Sequence, residues 1–157
     1  MIMTNGLDID RIAKGIFVGS RSALEAASMD MLADLGFTML VFAAREIQPK
    51  IENRRFKIVR VPLLDSLLSK VDAEMAVNAA GIVALEAKRG GQVLITCNMG
   101  VNRSPFIATL ALIRRYGTNA EDALIRVRRN RKTPRVLTNQ YFEAAIRAFV
   151  PPTRKTA

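Results

Sequence analysis

The 157-residue chain contains no histidine and a single cysteine, Cys97. Without histidine there can be no Ser-His-Asp triad, no Cys-His pair and no histidine-ligated zinc. One cysteine excludes an intramolecular disulfide and any multi-thiolate cluster, so neither metal nor other cofactor is expected. Tryptophan is also missing and aromatics make up 6% of the residues, too few for a platform that stacks single-stranded bases. Glycine and proline fill only 15 positions, which rules out a low-complexity scaffold. No stretch approaches the roughly 18 uninterrupted apolar residues of a membrane span. Met1-Ile2-Met3-Thr4-Asn5-Gly6 lacks the basic start and apolar stretch of an export signal. A cytoplasmic protein without a membrane span is therefore expected.

What remains is a chain that is 50% hydrophobic and 24% charged, enough for one domain with its own core and too short for two. That domain is expected over residues 8–150, with flexible termini at 1–7 and 151–157. The net charge of +10 is unevenly spread: residues 111–157 hold 11 Lys/Arg against 3 Asp/Glu. Such asymmetry calls for an anionic partner, whether phosphate ester, nucleic acid or membrane surface.

Ile16-Phe17-Val18-Gly19 reads as a strand, followed by Ser22-Ala23-Leu24-Glu25 with capping-box spacing. The helix it opens should bury Leu24, Ala27, Met31 and Leu35 and end at Gly36. Residues 37–43 are nearly all apolar, as in a strand covered on both faces. Residues 56–61 alternate imperfectly and suggest a less buried strand ended by Pro62. A helix over 73–87 should turn Met75, Ala79, Ile82 and Leu85 inward, with Ser69-Lys70-Val71-Asp72 as its start. Gly90-Gly91 precedes the strand Gln92-Val93-Leu94-Ile95-Thr96 that delivers Cys97. A helix over 104–116 is apolar on nearly all sides, which places it in the middle of the molecule. Thr118-Asn119-Ala120-Glu121 opens another helix, and Phe142, Ala145, Ile146 and Phe149 mark the last. Alternating strands and helices predict a single-domain α/β fold, a central mostly parallel sheet of four to five strands flanked by helices.

The chemistry-bearing segment is Cys97-Asn98-Met99-Gly100-Val101-Asn102-Arg103. An apolar strand runs into the thiol, a glycine sits where the backbone must bend, Ser104 follows the arginine, and an apolar helix begins at once. A loop between a strand end and a helix N-terminus gathers unpaired backbone N–H groups and the positive helix dipole, which suits a tetrahedral oxyanion. The same field favours a thiolate over a thiol. Asn98, Met99, Gly100, Val101 and Asn102 would supply the amides. Arg103 would grip two phosphate oxygens with its planar fork. Ser104 could donate to the sulfur when it departs.

Val93 to Pro105 resembles the signature of the dual-specificity branch of the cysteine-based protein tyrosine phosphatases. The likeness extends to Gly15-Ile16-Phe17-Val18-Gly19-Ser20, to Leu35-Gly36-Phe37-Thr38-Met39-Leu40-Val41 and to the stretch from Glu121 to Arg128. It implies a cysteinyl-phosphate intermediate, no metal, and a general acid on a loop upstream of the nucleophile. Pro62-Leu63-Leu64-Asp65-Ser66 occupies that loop's position, which makes Asp65 the matching acid; without histidine a carboxylic acid is the available proton donor for the leaving group. Asp72 reads instead as part of a helix start. The resemblance implies a phosphatase acting on phosphotyrosine and phosphoserine/threonine of proteins. The chain departs from the family's pattern at Thr96, where histidine generally stands; a threonine hydroxyl can bond the loop backbone but adds no positive charge.

Three other readings stay open on sequence. Gly100-Val101-Asn102-Arg103 is similar to the loop of RNA 5′-triphosphatase relatives, and Arg126, Arg128, Arg129, Arg131, Lys132 and Arg135 form a basic cluster, residues 126–135, that suits a nucleic-acid end or simply a solvated helix face. A non-catalytic pseudophosphatase would keep the phosphate pocket and lose the chemistry. Inositol lipids are a further class, though the loop carries no lysine. Low-molecular-weight phosphatases and arsenate reductases are disfavoured, because their loop follows the first strand and arsenate reduction needs resolving thiols. Leu63, Leu64, Leu67 and Leu68 around Asp65 either line one wall of the cleft or belong to the core.

Overall fold

Five strands form one sheet in the computed structural model, which describes residues 4–152. They are Ile9–Ala13 (β1), Ile16–Gly19 (β2), Met39–Ala44 (β3), Lys57–Leu63 (β4) and Val93–Thr96 (β5), in the order β1-β2-β5-β3-β4. β2, β5, β3 and β4 run parallel, while β1 is antiparallel to β2 at one edge. Every residue of β2, β3 and β5 is buried, because helices cover both faces of the sheet. The parallel sheet flanked by helices is the one expected from the sequence. β1 was not separable there, since Asp10 and Arg11 interrupt its apolar run.

β4 forms the opposite edge and leaves Lys57 and Arg60 exposed, as its broken alternation suggested. It does not end at Pro62: the strand runs on to Leu63, past a register shift between Phe42 and Ala44 of β3. An edge strand tolerates the missing proline N–H where a central one would not.

The helix expected over 22–35 is two short ones, Arg21–Ala26 (α1) and Met29–Asp34 (α2). Ala27 is extended, and the Ser28 hydroxyl accepts from the Met31 N–H at 3.0 Å, so a new N-cap starts the chain on a fresh helical phase. The phase change buries Leu32 and leaves Met31 44% exposed. Ser22 and Glu25 make no capping box either; Ser20 is the cap residue, and Glu25 pairs with Arg21.

Lys70–Lys88 (α3) begins as expected, with Ser69 Oγ accepting from the Asp72 N–H. Its inner face is Ala76, Ala79, Ala80, Val83, Ala84 and Ala87, whereas Ile82 and Leu85 point to solvent. Small side chains face inward because the neighbouring Arg103–Tyr116 (α4) is already bulky all round: every residue from Arg103 to Ile113 is buried. Left-handed Gly117 ends α4. Ala120–Asn130 (α5) is capped by Asn119, not Thr118, and Gln140–Ala148 (α6) by Asn139. Phe142 of α6 stacks on Phe106 of α4 with ring centroids 4.6 Å apart. α3, α4, α5 and α6 cover one face of the sheet, and α1 and α2 the other. Among the described residues no helix is long and apolar enough to cross a membrane. Residues 1–3 and 153–157 of the termini expected to be flexible lie outside the described residues.

Candidate active site

The carboxyl ends of the parallel strands meet at one edge of the sheet, and β5, the central one, releases the chain there into Cys97 and the loop 98–102 before α4 starts at Arg103. All five carbonyls of that loop are held from outside. Asn98 O accepts from the Arg21 N–H at 2.8 Å, Val101 O from the Leu137 N–H at 2.8 Å and Asn102 O from the Phe106 N–H at 2.9 Å. Met99 O and Gly100 O accept from the Arg131 guanidinium at 3.1 and 3.0 Å. None of the N–H groups of residues 98–102 donates to a protein acceptor among the described residues. Carbonyls tied outward and amides left unpaired make a nest for an anion.

Gly100 is required in this loop. Its φ is +67°, and a Cβ there would stand 2.5 Å from Arg131 Nη2 and 3.0 Å from Gly19 O. Arg131 itself is fully buried and anchored by Asp8, at 2.8 and 3.1 Å, and Asp10, at 2.9 Å, from the β1 edge. The hydrogen bond from Arg131 outweighs burial and holds the Asp8 carboxyl below the usual carboxylate range. The basic cluster thus loses a surface cation: the sequence shows no acid among residues 126–135, but Asp8 and Asp10 reach Arg131 from far along the chain. Arg128 is likewise engaged, with Val136 O, Leu137 O and Glu143.

Cys97 is 3% exposed, and its Sγ lies 3.1 Å from Ser104 Oγ on the first turn of α4. Arg103, 5% exposed, is gripped end-on by Glu46: Nη1 donates to Oε2 at 2.6 Å and Nη2 to Oε1 at 2.5 Å. Nη1 also donates to Leu63 O at 3.0 Å. Three of the five guanidinium N–H bonds are thereby used. The two left, on Nε and Nη2, lie along one edge, and Nε is buried without a partner. The Arg103 hydrogen bond holds the Glu46 carboxyl below the usual carboxylate range against the opposing effect of burial. Burial pulls the Arg103 guanidinium down, but Glu46, Cys97 and Asp65 outweigh it and raise it.

Asp65 sits at the rim, accepting from Asn102 Nδ2 at 3.0 Å and Asn139 Nδ2 at 2.9 Å. The structure therefore brings together Cys97, Arg103, Ser104, the loop 98–102 and Asp65. Of the flanking leucines, Leu63 is buried and Leu68 packs on the core, while Leu64 and Leu67 are exposed. Thr96 is buried. Glu46 and Asn139 have no part in the sequence reading, and Arg131 enters it only as one of the basic cluster. The one signal for Glu46 was its place just past a fully apolar strand, on the edge where parallel strands carry their sites.

Residues 16–150 match the family described as dual specificity phosphatase, catalytic domain. A curated relative, Dual specificity protein phosphatase 1B of Arabidopsis thaliana, is 25% identical over 154 residues, which span 92% of this chain and 87% of the relative. Among solved structures, a mouse protein described as a dual specificity phosphatase, complexed with zinc tungstate, superposes with a TM-score of 0.77 at 24% identity over 93% of this chain and 88% of that one. Human DUSP28 gives 0.75 at 25% identity over 88% of this chain and 90% of its own.

Proposed function

The chain belongs to the dual-specificity phosphatase family, and from that premise we propose that it hydrolyses phosphate monoesters, phosphotyrosine and phosphoserine/threonine of proteins, through a cysteinyl-phosphate. The Cys97 thiolate attacks phosphorus opposite the ester oxygen. The P–O bond breaks as Asp65 passes its proton to that oxygen, so the alcohol or phenol leaves neutral. Water then attacks the phosphocysteine and gives a proton to the Asp65 carboxylate. The S–P bond breaks, the sulfur leaves as thiolate with Ser104 Oγ donating to it across 3.1 Å, and inorganic phosphate departs.

The observation that carries this reading is the unused edge of Arg103. A buried N–H without a partner is costly, and Nε together with the second hydrogen of Nη2 forms the side-on fork that matches two oxygens of a phosphoryl group. The unpaired amides of residues 98–102 would take the others, and both sets stabilise the charge that builds on the equatorial oxygens in the transition state. A reading as an RNA 5′-triphosphatase has no comparable support, since Arg131 and Arg128 are committed to internal partners.

The test is hydrolysis of p-nitrophenyl phosphate with acid-quench trapping of a phosphoenzyme. Wild type should turn over, be inhibited by vanadate and yield a phosphothiol adduct; Cys97→Ser should give neither product nor adduct. Full turnover by that folded variant would refute covalent thiol chemistry.

A further inference from the structure

The loop carrying Asp65 has little of its own to fix it. It leaves β4 at Leu63, forms no helix or strand before Ser69, and exposes Leu64 at 46% and Leu67 at 67%. Both oxygens of its carboxyl are nevertheless held: Oδ2 by Asn102 Nδ2 at 3.0 Å, Oδ1 by Asn139 Nδ2 at 2.9 Å. The Asn139 N–H closes a triangle by donating to Asn102 Oδ1 at 3.0 Å, and Asn139 Nδ2 also reaches Ser66 O at 3.1 Å. Asn139 is a firm anchor, because its Oδ1 caps α6 by accepting from the Tyr141 and Phe142 N–H groups, and Phe142 is stacked on α4. A carboxyl group has about four lone-pair positions. The two amides use one on each oxygen, which leaves a place on either for a transferable proton.

We propose that Asn139 is a positioning residue for the general acid, and that Asn102 ties the acid to the phosphate nest, its backbone facing the anion while its side chain holds both Asp65 and Asn139. The inference rests on Asp65 being the acid. An open hollow of about 390 Å³ lies beside the triangle, bordered by Asp65, Ser66, Asn102, Asn139 and Tyr141, so the carboxyl is reached from solvent. The triangle fixes the carboxyl by hydrogen bonds in a loop that apolar packing holds only at Leu68, three residues away.

The experiment compares kcat/KM for phenyl phosphate and p-nitrophenyl phosphate in wild type, Asp65→Asn, Asn139→Ala and Asn139→Asp, with inhibition by vanadate as the measure of phosphate binding. Asn139→Asp keeps an oxygen for the α6 cap and loses the donor to Asp65. A working acid makes the rate nearly independent of the phenol's acidity. Both Asn139 variants should therefore lose about tenfold or more in the ratio of phenyl to p-nitrophenyl phosphate, with vanadate inhibition within about twofold of wild type. Equal losses on both substrates, or a wild-type ratio in Asn139→Asp, would overturn the proposal and reduce Asn139 to a helix cap. A wild-type ratio in Asp65→Asn would instead remove Asp65 as the acid and the inference with it.

Discussion

Replacing Arg131 by methionine asks whether the anion nest is held in shape from behind. Methionine fills the aliphatic part of that buried space but removes the guanidinium donors to Met99 O, Gly100 O, Asp8 and Asp10, leaving Asp10 the Lys132 N–H at 2.8 Å. Taking away one partner of a buried ion pair typically costs about 3–5 kcal/mol. The Asp8 and Asp10 side chains keep 45% and 16% exposure, so water recovers part of the loss and the lower end, about 3 kcal/mol, applies. For a domain of this size each kcal/mol moves Tm by roughly 2–4 °C, which gives a fall of about 6–12 °C by calorimetry. The functional effect is separate: with two carbonyls released, the peptide planes of the loop can turn and their N–H groups no longer converge, so vanadate inhibition should weaken about tenfold. Adding Asp8→Asn and Asp10→Asn to Arg131→Met relieves the repulsion between the stranded carboxylates; stability should partly return and vanadate affinity should not. A folded Arg131→Met protein with vanadate inhibition and kcat/KM within twofold of wild type would refute the bracing role.

Glu46→Gln leaves Arg103 buried with a neutral partner, and is expected to raise KM for aryl phosphates about tenfold while lowering Tm, read by steady-state kinetics and thermal unfolding. Ser104→Ala removes the donor to the departing sulfur, so hydrolysis of the phosphoenzyme should slow about tenfold or more and rapid mixing should show a burst of phenol before slow turnover. Acid should loosen the fold through Asp8 and Glu46. Both carboxyls are depressed in the folded chain by their arginines, so the unfolded chain binds more protons across the ordinary carboxylate range. Their stabilisation is present above that range and is lost as pH falls through the depressed values; urea midpoints should hold steady from neutrality to about pH 5 and then fall, less steeply in Asp8→Asn.

The strand, loop and helix around Cys97 were legible in the sequence because they are contiguous, and their chemistry depends on spacing along one stretch of chain. What supports them was not, because Glu46 lies 57 residues from Arg103, Arg131 lies 31 from Gly100, and Asn139 lies 74 from Asp65. No periodicity links such pairs. Helix faces failed for two different reasons. Met31 was misassigned because Ser28 resets the helical phase, and Ile82 and Leu85 because a helix pressed against a bulky neighbour turns its alanines inward. Pro62 misled because its meaning depends on whether a strand is central or at an edge.

Arg131 and Leu137, two of the supports behind the anion nest, lie after it in the chain. Synthesis therefore delivers the thiol and the guanidinium before the parts that give their surroundings shape. A nascent chain emerging from the ribosome only as far as α4 carries Cys97 and Arg103 without the donors that tie Met99 O, Gly100 O and Val101 O. A chain terminated between α4 and Arg131 lacks these supports, and is expected to show no aryl phosphate hydrolysis.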